Sequence, residues 1–286
     1  MSATTTQPYN TTNTAGVPPA PPELTQKQVG DVDFTKILQQ ALTVPGIVNQ
    51  AYRAFHNFSL GNQILAAMQL AERGLGLSPL ASFMAWKGKG RCVKKGEKAI
   101  SLFMPITIKK AHKDEATGDE VQSTFSKFVL KPHWFSLEQT DGEEFAAEMV
   151  APAWNAERAM QTLEIEEVRF DELRGNVMGY ASGKQIAISP VNPLKHKTRF
   201  HEIAHVVLGH TADAALMADG SNLPRDIKEA EAEGVAYILC ALLDLPGQAE
   251  SRGYIQGWLA DQPLPERSAR RIFSAADKIM KAGQQI

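Results

Sequence analysis

The chain has 286 residues, of which 43% are hydrophobic, and a formal net charge of −2. This length allows two domains with substantial cores, and the net charge by itself indicates no class of partner. No run approaches about 20 apolar residues, so we expect no membrane-spanning helix. The N-terminus lacks the basic and apolar regions of a secretory signal, and the two widely spaced cysteines predict reduced thiols in a cytoplasmic protein.

The N-terminal quarter changes from a polar tail to helices. Residues 1–28 are rich in Thr, Pro, Asn and Ala and are predicted to form a disordered tail. From Val32 to Arg73, apolar residues recur at three- and four-residue spacing, which is typical of helices. Pro45 predicts a break, and a further helix is expected from Leu60 to Arg73.

A basic window follows. Residues 81–145 carry β-type apolar runs broken by glycines, with a polar loop expected at 113–123. Between Trp86 and Lys113, eight lysines and Arg91 are opposed by Glu97 alone, which gives this window a net charge of +8. Such local charge density suits contacts with phosphates.

Aromatic residues lie in or near this window. A cationic groove with stacking aromatic rings is the arrangement that binds single strands of nucleic acid. The other interpretation is a solvated lysine-rich hairpin over a core that contains the aromatic rings. Composition leaves both open. The aromatic residues concerned are Tyr52, Phe55, Phe58, Phe83, Trp86 and Phe103.

An acidic stretch after Gln139 predicts a linker, and a second domain is expected from about Ala151. In this second part we expect a helix at 153–162, a short strand at 168–170 and a hairpin at 179–190. The strand Gln185–Ser189 is expected to form the rim of a cleft to which an extended peptide can add. The last helix, over residues 266–282, is expected to turn Ile272, Phe273, Ala276 and Ile279 inward.

The motif with the clearest chemistry is His201-Glu-Ile-Ala-His205. Histidines four residues apart lie on one face of a helix, with Cβ atoms about 5–6 Å apart, so both rings can share one metal ion. Glu202 then lies beside the ion. This is the H-E-x-x-H pattern of zinc hydrolases, in which the Glu is the general base.

A catalytic zinc commonly takes a third protein ligand. Glu229, Glu231 and Glu233 all open a downstream apolar helix, and the sequence alone does not decide among them. We favour Glu229 as the ligand and Glu233, on the same helix face, as the group that orients a ligand histidine. Zinc is the expected ion, and manganese or cobalt can replace it. His210, about 140° round the helix from His205, is expected off the metal.

Several stretches, in order, resemble the ArdC type of antirestriction protein. They are AYRAFHNFSLGNQILAAMQ (51–69), FMAWKGKGRCVKKGEKAISLFMP (83–105), WFSLEQT (134–140), HEIAHVVLGH with EAEAEGVAYILCALLDLP, and SRGYIQGWLA (251–260). The resemblance implies an α+β fold. Its N-terminal part, residues 29–145, would be a helical and antiparallel-sheet domain that binds single-stranded DNA and also occurs in TraC-type plasmid primases. Its C-terminal part, residues 151–286, would be a zincin-like metallopeptidase domain.

The resemblance also implies roles for residues. It implies metal ligands at His201, His205 and Glu229, a general base at Glu202, and protection of incoming plasmid DNA from host restriction. A restriction-system subunit would be the substrate or target. The alternative is a protein that coats single-stranded DNA and whose metal is structural, without protease activity. The expected DNA contacts are Tyr52, Phe58, Asn62, Gln63, Trp86, Lys87, Lys89, Arg91, Lys94, Lys95 and Lys98.

Overall fold

A computed structural model describes residues 33–113, 120–146, 151–171, 177–211, 223–258 and 264–285. The predicted tail at 1–28 and most of the loop expected at 113–123 lie outside these ranges. The described elements mix helices with small sheets, so the predicted α+β class is confirmed. Within the described ranges, no helix has the length and apolar character needed to cross a membrane.

The N-terminal part consists of helices followed by strands. Helices α1 (Phe34–Thr43), α2 (Ile47–Phe55) and α3 (Leu60–Glu72) are followed by β1 (Leu80–Ser82), α4 (Phe83–Gly88), β2 (Arg91–Val93), β3 (Ile100–Lys113), β4 (Glu120–Ser136) and β5 (Thr140–Gly142). The helix α4 falls where we expected β-structure. It forms because the Ser82 side chain accepts a hydrogen bond from Ala85 N and so caps the turn.

The C-terminal part supplies the helices of the metal motif. It comprises α5 (Ala156–Leu163), β6 (Glu166–Glu167), β7 (Gly179–Ser182), β8 (Gln185–Ile188), α6 (Lys195–Val207), α7 (Arg225–Leu242), α8 (Gln248–Trp258) and α9 (Glu266–Gly283). The hairpin expected at 179–190 is confirmed by β7 and β8. The short strand expected at 168–170 lies two residues earlier, as β6, which pairs in parallel with β8. The four residues expected to face inward on α9 are all buried.

Two side-chain amides cover the exposed edge of β3. This strand is at the edge of the sheet β1-β4-β3, where its backbone groups lack a neighbouring strand. Asn62 donates to Phe103 O (2.9 Å) and accepts from Phe103 N (2.8 Å). One helical heptad later, Gln69 donates to Ser101 O (2.8 Å) and accepts from Ser101 N (2.9 Å). These two amides replace the hydrogen bonds of a missing strand and join α3 to the sheet.

One hydrophobic core extends across both parts of the chain. It includes buried residues from α1, α2 and α3 together with residues from α7 and α9. Polar contacts cross the same boundary: Tyr237 donates to Ala41 O (3.0 Å), and Asn49 donates to Leu242 O (3.0 Å). The division into domains at 145–151 stays a prediction, and the shared core makes the intact chain the unit to test.

A third such contact predicts a pH-dependent stability. The carboxylate of Asp277 on α9 accepts from Leu60 N (3.1 and 3.2 Å) at the start of α3. Burial raises the Asp277 pKa from 3.8 to about 6, against the opposing effects of Lys281 and of the Leu60 N–H. Because the folded pKa is the higher one, the stability that the neutral form contributes is present below about pH 4 and is lost as pH rises through about 6.

Asp277→Asn removes this titration. As pH rises from about 4 to about 7, wild type should lose about 2–3 kcal/mol of unfolding free energy that Asp277→Asn keeps. Urea unfolding of both proteins at several pH values measures this difference. Asp141→Asn, at a side chain that is 78% exposed, is the control. Parallel pH profiles for wild type and Asp277→Asn would contradict the assignment.

Candidate metal centre and nucleic-acid surface

Two packed helices bring three ligand atoms together. His201 and His205 lie one turn apart on α6, and Glu229 faces them from α7. Their Nε2 atoms are 3.1 Å apart, and Glu229 Oε2 lies 3.3 Å from His201 Nε2 and 3.6 Å from His205 Nε2. Of the three glutamates that the sequence left open, the structure places Glu229 in this group, and the group has the make-up of a metal site.

The triangle has the size that a small divalent ion requires. Zinc binds imidazole nitrogen and carboxylate oxygen at about 2.0–2.2 Å in tetrahedral geometry, which separates neighbouring ligand atoms by about 3.4 Å. The three observed separations, 3.1, 3.3 and 3.6 Å, lie around this value. The two imidazoles and one carboxylate therefore fit such an ion without rearrangement.

A carboxylate orients the first histidine. Glu233 Oε2 lies 2.9 Å from His201 Nδ1, as expected, and its Oε1 pairs with Lys197 Nζ at 2.6 Å. Burial raises the Glu233 pKa, but His201 and Lys197 outweigh it and lower this pKa to about 2. An ionised Glu233 accepts a hydrogen bond from Nδ1–H, so in the neutral ring of His201 the lone pair is on Nε2, which faces the triangle.

A second relay, which sequence reasoning missed, orients the other histidine. His205 Nδ1 lies 3.0 Å from His210 Nδ1, and His210 Nε2 lies 2.9 Å from the buried carboxylate of Glu231. Arg271 holds that carboxylate at 3.0 Å. Because His210 donates from Nε2 to Glu231, its Nδ1 accepts a hydrogen bond from His205 Nδ1–H. The unprotonated Nε2 of His205 then faces the triangle.

The sequence contained a signal for this relay. We had given Glu231 no role beside Glu229 and Glu233, and we had placed His210 by continuing the helix past His205. The helix ends at Val207, and Gly209 adopts φ 75°, which brings His210 N to 2.8 Å from His205 O. A glycine in the left-handed region ends helices in this way, so His210 turns back toward the site. It remains outside the ligand triangle, as expected.

The charges of the cluster reflect its burial. Burial lowers the His201 pKa, but the hydrogen bonds with Glu229 and Glu233 outweigh it and raise the pKa to about 9. The hydrogen bonds with His201 and then His205 keep the Glu229 pKa well below its usual range, and burial opposes them with a smaller effect. Burial raises the Glu202 pKa, and the neighbouring histidines oppose that shift.

Glu202 lies between the triangle and a strand edge. A Cβ on Gly179 would stand 3.0 Å from Glu202 Oε1, so the carboxylate lies directly against β7. Both line a cleft of about 510 Å³ that also contains His201, His205 and Glu229. The rim strand is β7, because the sheet order is β6-β8-β7 and β8 is central. Our expectation that Gln185–Ser189 forms the rim was therefore wrong.

Removing His210 should weaken metal binding without removing a ligand. In His210→Ala, the ring of His205 loses its acceptor, and partners of this kind contribute about 10–100-fold to metal affinity. Competition with a chromophoric chelator measures this loss. His196→Ala, on the same helix but outside the cluster, should bind as wild type does. Equal affinities in all three proteins would show that the relay does not support the site.

The residues expected to contact DNA separate into two groups. Tyr52 and Trp86 are 4% and 1% exposed, and Trp86 Nε1 donates to Phe135 O (2.8 Å), so neither ring face is open to a base. Phe58 packs edge-on against Trp134 with 5.9 Å between ring centroids. Of the two interpretations of the aromatic residues, packing in the core rather than stacking on bases therefore applies to these three rings.

The amide and guanidinium side chains of the expected set are also occupied. Asn62 joins α3 to β3, and buried Gln63 donates to Phe58 O (2.8 Å). Arg91 donates to Thr140 Oγ1 (2.8 Å) and Thr140 O (2.9 Å), which fixes β5 beside β2. These residues serve the fold. The exposed members are all lysines: Lys87, Lys89, Lys94, Lys95 and Lys98.

Two exposed apolar side chains lie among these lysines. Phe83 is 51% and Met84 is 69% exposed, and both begin α4, which ends beside Lys87 and Lys89. Sequence reasoning had included Phe83 among the nearby aromatic residues but favoured Trp86. The structure exposes Phe83 and buries Trp86.

Residues 39–133 match the family model described as the N-terminal domain of the anti-restriction factor ArdC. Over these residues the chain is similar to that domain. The resemblance seen in the sequence is thereby confirmed for this stretch, which ends before the metal cluster. No curated protein matches the chain.

Two solved structures of the antirestriction protein ArdC from plasmid R388 are similar to this chain. The metal-free structure has a TM-score of 0.46 at 24% identity, over 78% of this chain and 81% of that one. The Mn(II)-bound structure has a TM-score of 0.48 at 19% identity, over 87% of this chain and 97% of that one.

Proposed function

We propose that this ArdC-type chain is an antirestriction protein of the plasmid kind, which binds single-stranded DNA and cleaves a restriction-system protein at a metal-dependent site. The observation that carries the enzymatic part is the triangle of His201, His205 and Glu229 with Glu202 beside it, open to a cleft with a strand edge. The ArdC-type domain at residues 39–133 supports the antirestriction role.

The ligand set supports a divalent ion, of which zinc is the first candidate and manganese or cobalt are others. Such an ion supplies a Lewis acid that polarises a carbonyl and makes a bound water more acidic. The remaining tasks belong to the chain. Glu233 and His210 hold the two imidazoles in the ligating tautomer, and Glu202 accepts a proton at its carboxylate and returns it to the leaving amine.

The cleft also supplies a place for an extended peptide. The edge strand β7 presents backbone N–H and C=O groups along the wall that Glu202 touches. A substrate segment that pairs with this edge would lie with its backbone alongside the triangle. A site that only stabilised the fold would need neither an open cleft nor a carboxylate placed beside it, so this geometry favours chemistry over a structural metal.

The DNA-binding part of the proposal rests on the exposed lysines around α4. We assign to Phe83 the stacking role first expected of Trp86, because Phe83 is the exposed aromatic ring of that helix. Each phosphate neutralised on a single strand should add about −0.7 to the slope of log K against log salt. Unpaired bases are required for stacking, so single strands should bind better than duplex.

Phe83→Ala should weaken single-stranded DNA binding without unfolding the protein. Loss of one stacked base costs about 1–3 kcal/mol, which is about 5–150-fold in affinity. Fluorescence anisotropy with an oligothymidylate measures it, and thermal melting reports the fold. Val191→Ala, at an apolar side chain that is 80% exposed on another surface, is the control. Unchanged affinity in Phe83→Ala would remove the stacking role from this residue.

The experiment that tests the whole proposal uses the intact, metal-loaded protein. It is incubated with purified subunits of the host restriction system, with and without chelator, and the products are identified by mass spectrometry. Single-stranded DNA binding is measured on the same samples. Chelator-sensitive cleavage together with DNA binding is expected. DNA binding without cleavage of any subunit would favour a protein that coats DNA and carries a structural metal.

A further inference from the structure

A second groove runs along α9, away from the metal cleft. Its volume is about 840 Å³, and it shares no lining residue with the metal cleft. One wall is the outer face of α9, and the other is formed by the starts of α1 and α3, by the end of α5 and by Phe128 on β4. The groove therefore lies where the ArdC-type domain meets the C-terminal helices.

The wall formed by α9 is strongly cationic. Its basic residues recur at helical spacing on the face opposite the buried one, and Asp277 is the acid among the lining residues of the described chain. Two of the cations are already paired: Arg270 donates to Glu266 and lies over the Phe34 ring at 4.8 Å, and Arg271 donates to Glu231 and to Leu208 O. Lys278 and Lys281 are the exposed lysines of this wall. The basic lining residues are Arg267, Arg270, Arg271, Lys278 and Lys281.

The facing wall is aromatic. Phe128 is 47% exposed at the groove, and Phe34 and Phe273 line its floor. Phe34 stacks on Phe103 with 4.6 Å between ring centroids, which leaves it in a fixed orientation. An open ring opposite a row of cations provides both parts of a single-strand site, a stacking surface and phosphate contacts.

We propose that the α9 groove is a second binding surface for single-stranded DNA, formed jointly by the ArdC-type domain and the C-terminal helix. This inference rests on the proposed DNA-binding function and extends it to residues outside the family match. The row of cations selects a polyanion, and the open Phe128 ring favours unpaired bases over an acidic peptide. Phosphates would meet Lys278 and Lys281, and a base would stack on Phe128.

The test compares charge-matched variants of the intact protein. Binding of an oligothymidylate of roughly 20 nucleotides is titrated against salt for wild type, Lys278→Glu, Lys281→Glu and Lys195→Glu. Lys195 is an exposed lysine of α6 that does not line the groove. Each groove variant should lose about tenfold in affinity at low salt, and its salt slope should fall in magnitude by about 0.7. Lys195→Glu should match wild type, and equal melting temperatures exclude misfolding.

Phe128→Ala, with Val191→Ala as its control, tests stacking separately and should lose about fivefold or more. If wild type binds DNA but the groove variants match their controls, the groove is not a DNA site while the proposed function stands. If wild type binds no single-stranded DNA, the proposed DNA-binding function itself falls. Polyglutamate binding is measured on the same variants. If the groove variants lose affinity for polyglutamate but not for DNA, the groove binds an acidic protein and the proposal is overturned.

Discussion

Glu202→Gln should abolish cleavage while the metal and the fold remain. The substituted side chain keeps the volume of the original against Gly179 but cannot accept a proton. A general base contributes about 10²–10⁴-fold to rate, so cleavage of a restriction-system subunit should fall by that factor. Single-turnover cleavage by metal-loaded protein is the measurement, and bound metal is quantified on the same sample.

The control is Glu157→Gln, at an exposed glutamate of α5, which should cleave at the wild-type rate. Loss of metal from Glu202→Gln would show that the carboxylate is a ligand. A cleavage rate within about threefold of wild type, with metal retained, would remove Glu202 from the role of base.

Trp86→Ala should lower the free energy of unfolding by about 3–5 kcal/mol, because it removes a fully buried indole and leaves a cavity. The ring packs edge-on against Phe145 with centroids 5.4 Å apart, and its N–H donates to Phe135 O. Urea unfolding of the intact protein measures the loss. Met84→Ala, at a side chain of the same helix that is 69% exposed, should change stability by less than about 0.5 kcal/mol.

This variant separates the two interpretations of the basic window. If Trp86 were a stacking residue, its removal would cost DNA affinity and leave stability nearly unchanged. The packing predicts instead that Trp86→Ala is much less stable than wild type. At temperatures where the variant is still folded, its DNA affinity should be close to that of wild type. Stability close to wild type together with a large loss of DNA affinity would therefore contradict the burial of Trp86.

The sequence predicted what depends on local spacing. Histidines at i and i+4 on an apolar helix share a face whatever the rest of the fold, and two acidic residues four apart on α7 share a face likewise. Those rules placed His201, His205, Glu229 and Glu233 near one another, as the structure does. Helical spacing also predicted the buried face of α9, and local strand and turn signals predicted the β7–β8 hairpin.

What the sequence did not predict depends on contacts between distant segments. Whether Trp86 faces solvent is decided by Phe135 and Phe145, about 50 residues further along the chain. The relay from His205 to Arg271 requires the turn at Gly209 and the packing of α9 on α7. Asn62 looked like part of a DNA-binding motif because nothing local shows that β3 has an uncovered edge.

His201, His205 and Glu229 should hold one divalent ion, and direct metal analysis tests this. Intact protein is stripped with chelator, titrated with Zn²⁺ or Mn²⁺, and its bound metal is measured by mass spectrometry after gel filtration. Wild type and Glu250→Ala, at an exposed glutamate of α8, should retain about one ion per chain, and Glu229→Ala should lose it. Full occupancy in Glu229→Ala, or none in wild type, would show that these three residues do not form the metal site.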